Sequence, residues 1–510
     1  MILLKRKLGF WDVFCIASGA MISSGLFVLP GHAYAQAGPA VVLAYALAAV
    51  LMIPAMFSQA ELATAMPRSG GSYFFIERSM GALPGTLAGL ANWLSIALKS
   101  AFALIGIGAF AGMVGLPDDE WTIKLIATAF CVLFTVLNLL SVKGTGRMQV
   151  AMVALLFAVM AVFLVAGFPA ADHRRFGGFM DKGPWALIAT AGLIFVSYGG
   201  LTKVASVAGE IHHPGRNIPA GMFAASILVS GLYVAAVFVT VGVAGSAGAG
   251  DADDLSGSLT PLTLAAGRTA LGSVGVLLLA VAAMLAFFTT ANGGILSASR
   301  NPMAMSHDGL LPQFVRKVSR FQTPWVSILM TSTFMIAIIL ALKIDTLVKV
   351  ASTMMLLVFL LVNLAVLVMR TSRIQNYRPL FRSPMFPWFQ VAGICVYSVL
   401  IAGMGAQALL TTAVFALLGL LWYVLYVRAR ISRESALVYM VRKAVSREIY
   451  RAELEEELRE IALERDQVVH DRFDRLIQNA AVLDLPGPID PQELFRQTAA
   501  ALAQRLPVSE

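Results

Sequence analysis

Charge is scarce in this sequence: Asp, Glu, Lys and Arg make up 13% of 510 residues, against roughly a quarter in ordinary soluble chains. So few ions could not coat a soluble protein of this length. With a mean hydropathy of +0.78, the solvent implied is a bilayer. Acids are rarer still, because only 14 of the 29 Asp and Glu fall in residues 1–427 and the other 15 crowd the last 83. The chain changes character at Leu425-Tyr426-Val427-Arg428, which divides it into a membrane domain (1–427) and a polar tail (428–510). Cysteine is nearly absent, and Cys15, Cys131 and Cys395 all lie in apolar stretches. That excludes a disulfide framework and leaves buried free thiols. Zinc spacings, phosphate-cradling loops and a nucleophile triad are missing as well. No metal or cofactor is expected, and an intramembrane enzyme finds too few central acids, histidines and cysteines. After Lys5-Arg6-Lys7 there is no cleavage pattern, so the first apolar segment reads as a retained span.

The net charge of +9 does not describe a nucleic-acid surface. Residues 1–427 hold 25 Lys and Arg against 14 acids, while the tail holds 13 against 15. The excess sits between apolar stretches, where membrane orientation places it. Twelve stretches approach the length a bilayer requires: about 11–36, 39–65, 85–113, 122–141, 148–168, 185–209, 219–244, 270–298, 325–342, 346–369, 386–404 and 407–427. With the N-terminus in the cytoplasm, inside segments carry 19 Lys and Arg and outside segments carry 6. Both termini are therefore expected in the cytoplasm, with Asp118-Asp119-Glu120 and the Asp251–Asp254 cluster outside.

Two of the twelve stretches are interrupted by glycine. Ser23-Ser24-Gly25 and Tyr198-Gly199-Gly200 lie about 175 residues apart, each some fourteen residues into its stretch. Matched interruptions in two halves are the sequence sign of a binding site at the repeat interface of a carrier. Spans one to five (about 10–168) and six to ten (185–369) each begin with a break. An odd number per repeat inserts the second upside down, so the broken helices cross near the midplane. The fold class expected is an all-α polytopic membrane protein. In the tail, apolar residues at helical spacing over 432–478, and again after Asp490-Pro491, suggest a small helical appendage with room for a cytosolic partner.

Three blocks, in this order and spacing, resemble the amino acid–polyamine–organocation (APC) superfamily of permeases. They are Gly19 to Phe27, then Phe195 to Gly200 with Glu210 to Pro219, then Ser297 to Pro312. Glu61 with Pro67 to Tyr73 forms a weaker fourth. The resemblance covers about residues 5–427. It implies a LeuT-type inverted repeat and alternating-access transport of amino acids or related amines.

The chemistry of the breaks fits that implication. The helix restarting after Ser23, Ser24 and Gly25 offers N–H groups to a carboxylate. Carbonyls around Phe195 and Ser197 offer acceptors to an ammonium. Gly199 and Gly200 permit close approach, although glycine also serves simple helix packing. Tyr198 reads as an aromatic wall or a packing residue, and Thr202 as a side-chain contact. Lys99 and Lys203 stand inside apolar spans, where charge is expensive and functional by default; the competing reading is a structural cation. With lysines rather than carboxylates at the centre, neutral or acidic amino acids are favoured as substrates. Glu210 reads as a gating or structural contact. For the driving ion, Thr289 and Thr290 are hydroxyls suited to sodium, while a proton or plain exchange is the preferred expectation. Proton-coupled permeases of this resemblance carry a lysine in span five, near which Leu156 stands here. The alternative to a carrier is an amino acid sensor on the same scaffold.

Overall fold

The structure is a computed structural model. It describes residues 8–68, 70–115, 117, 119–140, 146–245, 255–319, 323–374, 376–430, 435–445, 453–465, 490, 492, 494–496 and 498. The Asp251–Asp254 cluster, Asp118, Lys5 to Lys7, Pro491 and most of the tail lie outside the described residues.

Helices dominate because a chain in lipid must satisfy its backbone within each segment. The first half contains α1 (Phe10–Met21), α2 (Ser24–Phe27), α3 (Leu29–Ala37), α4 (Val41–Leu51), α5 (Ile53–Ala65), α6 (Ser72–Met80), α7 (Ala82–Ala111), α8 (Glu120–Leu140) and α9 (Gly146–Gly167). The second contains α10 (Gly183–Ile194), α11 (Gly200–Ser206), α12 (Pro214–Ala244), α13 (Pro261–Gly267), α14 (Gly272–His307), α15 (Trp325–Ala341) and α16 (Ile344–Ser372). Then follow α17 (Trp388–Gly403), α18 (Ala406–Trp422), α19 (Ala436–Val445) and α20 (Glu453–Arg465). Among the described residues nine helices are long and apolar enough to cross a membrane. Phe10–Met21, Trp325–Ala341 and Trp388–Gly403 are shorter apolar helices. Two short helices, α6 and α13, occupy what the hydropathy pattern treats as connections. The described residues form two compact units, one through Leu458 and one from Arg459.

The first break is an extended dipeptide. Ile22 leaves helical geometry (φ −71°, ψ 105°) and Ser23 is extended, so the helix ends at Met21 and restarts at Ser24. The second is milder: Phe195–Tyr198 tighten into a 3-10 turn and the α-helix resumes at Gly200. Its cause is a side chain inserted into the ladder. Ser352 of α16 donates to the Leu193 carbonyl at 2.7 Å and accepts from the Val196 N–H at 3.2 Å.

At the centre runs α7, with 89% of its apolar window buried, whereas the peripheral α18 has 11% buried. It packs against α14 and α16. Small residues set those distances: a β-carbon on Gly294 of α14 would overlap the Ser100 hydroxyl of α7, and one on Gly106 would press on the Phe287 ring.

Polar clasps fix the helix ends. Glu61, near the end of α5, is fully buried. Its carboxylate accepts from Arg370 Nε at 2.8 Å and Nη2 at 2.6 Å, from the Tyr377 hydroxyl at 3.0 Å and from the Ser383 N–H at 2.8 Å. These four donors saturate a carboxylate. Burial, and then the charge of Glu61, hold the Tyr377 phenol well above its ordinary pKa, which keeps it a donor. A second clasp gathers on Arg78 of α6, which donates to Glu77 and, at 2.8 Å, to Glu457 of α20. Asp308, after α14, lies 3.9 Å from Arg78 and accepts from Tyr73. Removing one partner of a buried pair leaves the other desolvated and unmatched. Arg370→Met, which strands Glu61, is expected to cost about 3–5 kcal/mol of stability. Thermal unfolding in detergent checks this, and an unchanged melting temperature would contradict it.

Candidate functional site

The two breaks touch. A β-carbon on Gly25 would overlap the Ser197 hydroxyl and come within 3.0 Å of the Ser197 Cα. On Gly200 it would strike the carbonyl of Ala17 and lie 2.8 Å from Met21 Cγ. The absence of a side chain at these two glycines is what lets α1–α2 and α10–α11 cross at contact distance.

Breaking a helix frees carbonyls, and several of those freed here are held by side chains, most of them from neighbouring elements. Tyr233 of α12 donates to the Met21 carbonyl at 2.8 Å. Tyr45 of α4 donates to the Gly25 carbonyl at 2.7 Å. Lys99 of α7 donates to the Ser197 carbonyl at 3.1 Å. Thr202 donates to the Gly199 carbonyl at 3.1 Å, closing the second break from within. Tyr198, fully buried, donates to the Tyr45 carbonyl at 3.0 Å. The rings of Tyr198 and Tyr45 both meet Tyr233 edge-on, at 5.5 and 5.6 Å between centroids. Three tyrosines thus form one cluster that binds both breaks to α4 and α12.

Other hydroxyls at the breaks are unspent. Ser24 and Ser197 are fully buried; the Ser24 Oγ has no hydrogen-bond partner, and that of Ser197 faces only the Tyr233 phenol. Ser23 makes only a long contact, 3.5 Å, with the Met21 carbonyl. Lys99 is 6% exposed, and the Ser197 carbonyl is its one hydrogen-bond acceptor among the described residues.

Several residues singled out from sequence lie elsewhere. Phe195 turns into an aromatic core with Phe359 and Tyr397, at 5.9 and 5.6 Å. Gly199 accommodates Met355 rather than the first break. Lys203 is half-buried on α11, within one turn of Gly200, and makes no hydrogen bond to either break among the described residues. Thr289 spends its hydroxyl on the Ala286 carbonyl of its own helix at 3.0 Å, while the buried Thr290 hydroxyl has no partner. Glu210 stands 3.9 Å from Arg300 of α14, and its carbonyl accepts from the Leu8 N–H at 3.0 Å.

Tyr45, Tyr233 and Ser352 went unread in the sequence. Tyr45 and Tyr233 did carry a signal: a phenol deep in an apolar stretch must find a partner when buried. Nothing local says that the partner is a carbonyl at a break 20 or 212 residues away.

Residues 8–429 match the family model described as amino acid permease. A branched-chain amino acid permease of Bacillus subtilis is 27% identical over 446 residues, covering 83% of this chain and 94% of that protein. The methylthioribose transporter of the same organism is 26% identical over 83% of this chain and 94% of its own. A serine/threonine exchanger, also from Bacillus subtilis, is 24% identical over 77% and 89% respectively.

Bulk at the crossing has nowhere to go, since both Ser197 Cα and its side chain stand in the way. Gly25→Val is expected to abolish uptake while the protein still elutes as a folded species from size exclusion. A well-folded variant with normal uptake would show that the crossing is not the site.

Proposed function

The chain belongs to the amino acid permease family, and from that membership we propose that it is a secondary active transporter working by alternating access. Its substrates are amino acids or related amines, with neutral or acidic ones favoured. The observation that carries the reading is the contact of two broken helices at Gly25 and Ser197, each break lined by main chain that a small polar ligand can address. Among the described residues, nine long apolar helices and three shorter ones support the proposed twelve-span body of two inverted five-span repeats and two further spans. Ser23, Ser24, Gly25, Ser197, Tyr198, Gly199, Gly200 and Thr202 form the proposed site, and Phe195 supports it from the aromatic core.

The working cycle follows from the hydrogen bonds. The breaks are held by Tyr45, Tyr233 and Lys99, each a donor on a different helix. Substrate favours one arrangement over another only through contacts that differ between them. A ligand that takes over some of these donors releases α1 or α11 from its neighbour. Since α11 packs on α5 and α6, its displacement is passed toward the Arg78 clasp. Proton coupling or exchange is the preferred driving mode; the unpartnered hydroxyl of Thr290 is the feature that keeps sodium in the comparison. The positive-inside count supports a cytoplasmic location for both termini, with the protein in the cytoplasmic membrane.

Purified protein in proteoliposomes tests this directly. With labelled amino acids and imposed proton or sodium gradients, accumulation of at least one amino acid is expected, greater with a gradient or with counter-substrate inside. Saturable binding without any accumulation would contradict the carrier and identify a sensor on the same scaffold.

A further inference from the structure

The groups at the crossing are unbalanced in kind. Acceptors are partly taken: the carbonyls of Met21, Gly25 and Ser197 each already receive one donor, from Tyr233, Tyr45 and Lys99. Donors are left over. The Ser24 hydroxyl is buried without a partner, and that of Ser197, which faces the Tyr233 phenol, points to the position a β-carbon on Gly25 would take. An ammonium carries three donors, and only one contact of Lys99 is made among the described residues.

Charge is unbalanced in the same direction. Every described carboxylate of residues 8–427 stands in a connection or within the first or last turns of its helix. Asp12 caps the Gly9 N–H, Glu61 is saturated by Arg370 and its companions, and Asp308 belongs to the Arg78 clasp. None pairs with Lys99, which sits midway along the most buried helix. Lys203, on the helix restarting at Gly200, adds a second positive group with no described carboxylate partner. A buried cation is costly without a counter-charge, and the described residues supply none here.

We propose that the crossing selects substrates of net negative charge, with Lys99 meeting a carboxylate and the hydroxyls of Ser24 and Ser197 completing its shell. This rests on the carrier reading and narrows it. A zwitterion makes two demands at the crossing. Its carboxylate finds donors, but its ammonium must share carbonyls that tyrosines and Lys99 already engage, beside the positive charge of Lys99. An anion makes only the first demand, and it supplies the missing counter-charge. Two kinds of molecule share this chemistry: dicarboxylic amino acids and monocarboxylates that lack the amino group.

The test is competitive uptake by the full chain in proteoliposomes, using near-isosteric pairs that differ by one charge. Glutamate against glutamine probes the second carboxylate; isocaproate against leucine probes the missing amine. The expected result is a preference of about tenfold or more for the anion in at least one pair, as a charge-assisted contact provides. In Lys99→Gln that preference falls to about twofold or less, and in Lys99→Arg it is kept. A zwitterion preferred in both pairs, or transport confined to zwitterions and cations outside them, overturns the proposal while leaving the carrier reading intact. So does a preference for the anion that Lys99→Gln does not move. Should Lys99→Gln fail to fold, the ratios of the wild-type chain and of Lys99→Arg decide. Accumulation of no substrate at all removes the carrier reading, and this proposal with it.

Discussion

A carbonyl released from a helix inside a membrane has no water to turn to, and the arrangement of this protein follows from how that need is met. Two helices are broken where they cross, and the freed carbonyls are taken by Tyr45, Tyr233 and Lys99. An unpaired buried polar group costs about 1–3 kcal/mol, so each bond holds a break in place as firmly as packing does. The donors come from α4, α12 and α7. The crossing is therefore tied to three separate elements, and none of them can shift without reassigning an acceptor.

The central helix α7 makes that constraint specific. It brings Lys99 to the crossing and packs along α14 and α16, which carry Thr290 and Ser352. Farther out, Glu61 and Arg78 gather charged groups from distant parts of the chain into compact clasps. Charge in this protein is thus sorted. Among the described residues, carboxylates with their partners lie at helix ends, and an ammonium without a carboxylate lies at the centre. The sorting gives the ends rigidity and gives the middle an affinity that a ligand can satisfy.

Much of this was legible in the sequence, and the remainder was not for identifiable reasons. Both breaks could be placed because Ser and Gly interrupt runs of helix formers at Ser23-Ser24-Gly25 and Gly199-Gly200. Lys99 was conspicuous as a charge in an apolar run, yet its acceptor at Ser197 lies 98 residues on and belongs to the main chain. Composition cannot show such a pairing. Glu61 raised the same difficulty: a weak motif residue whose partner, Arg370, is 309 residues away. Phe195 and Gly199 were read by adjacency to the break, but a 3-10 turn rotates the one toward Phe359 and the other toward Met355. The inserted Ser352, which shapes that turn, has no local signature at all. Hydropathy also passed over α6 and α13, because helices of 9 and 7 residues fall below the length it detects.

The central claim is that the crossing is held by side-chain donors on freed carbonyls, and the Lys99–Ser197 bond is its most exposed consequence. Solid-state NMR of protein labelled at lysine side-chain nitrogens and serine carbonyls measures it. The account predicts a short-range dipolar contact between one lysine nitrogen and one serine carbonyl in the substrate-free protein, lost in Lys99→Arg. If no such contact is seen, or if it survives that substitution, the ammonium is not on the break and the account of the crossing is wrong.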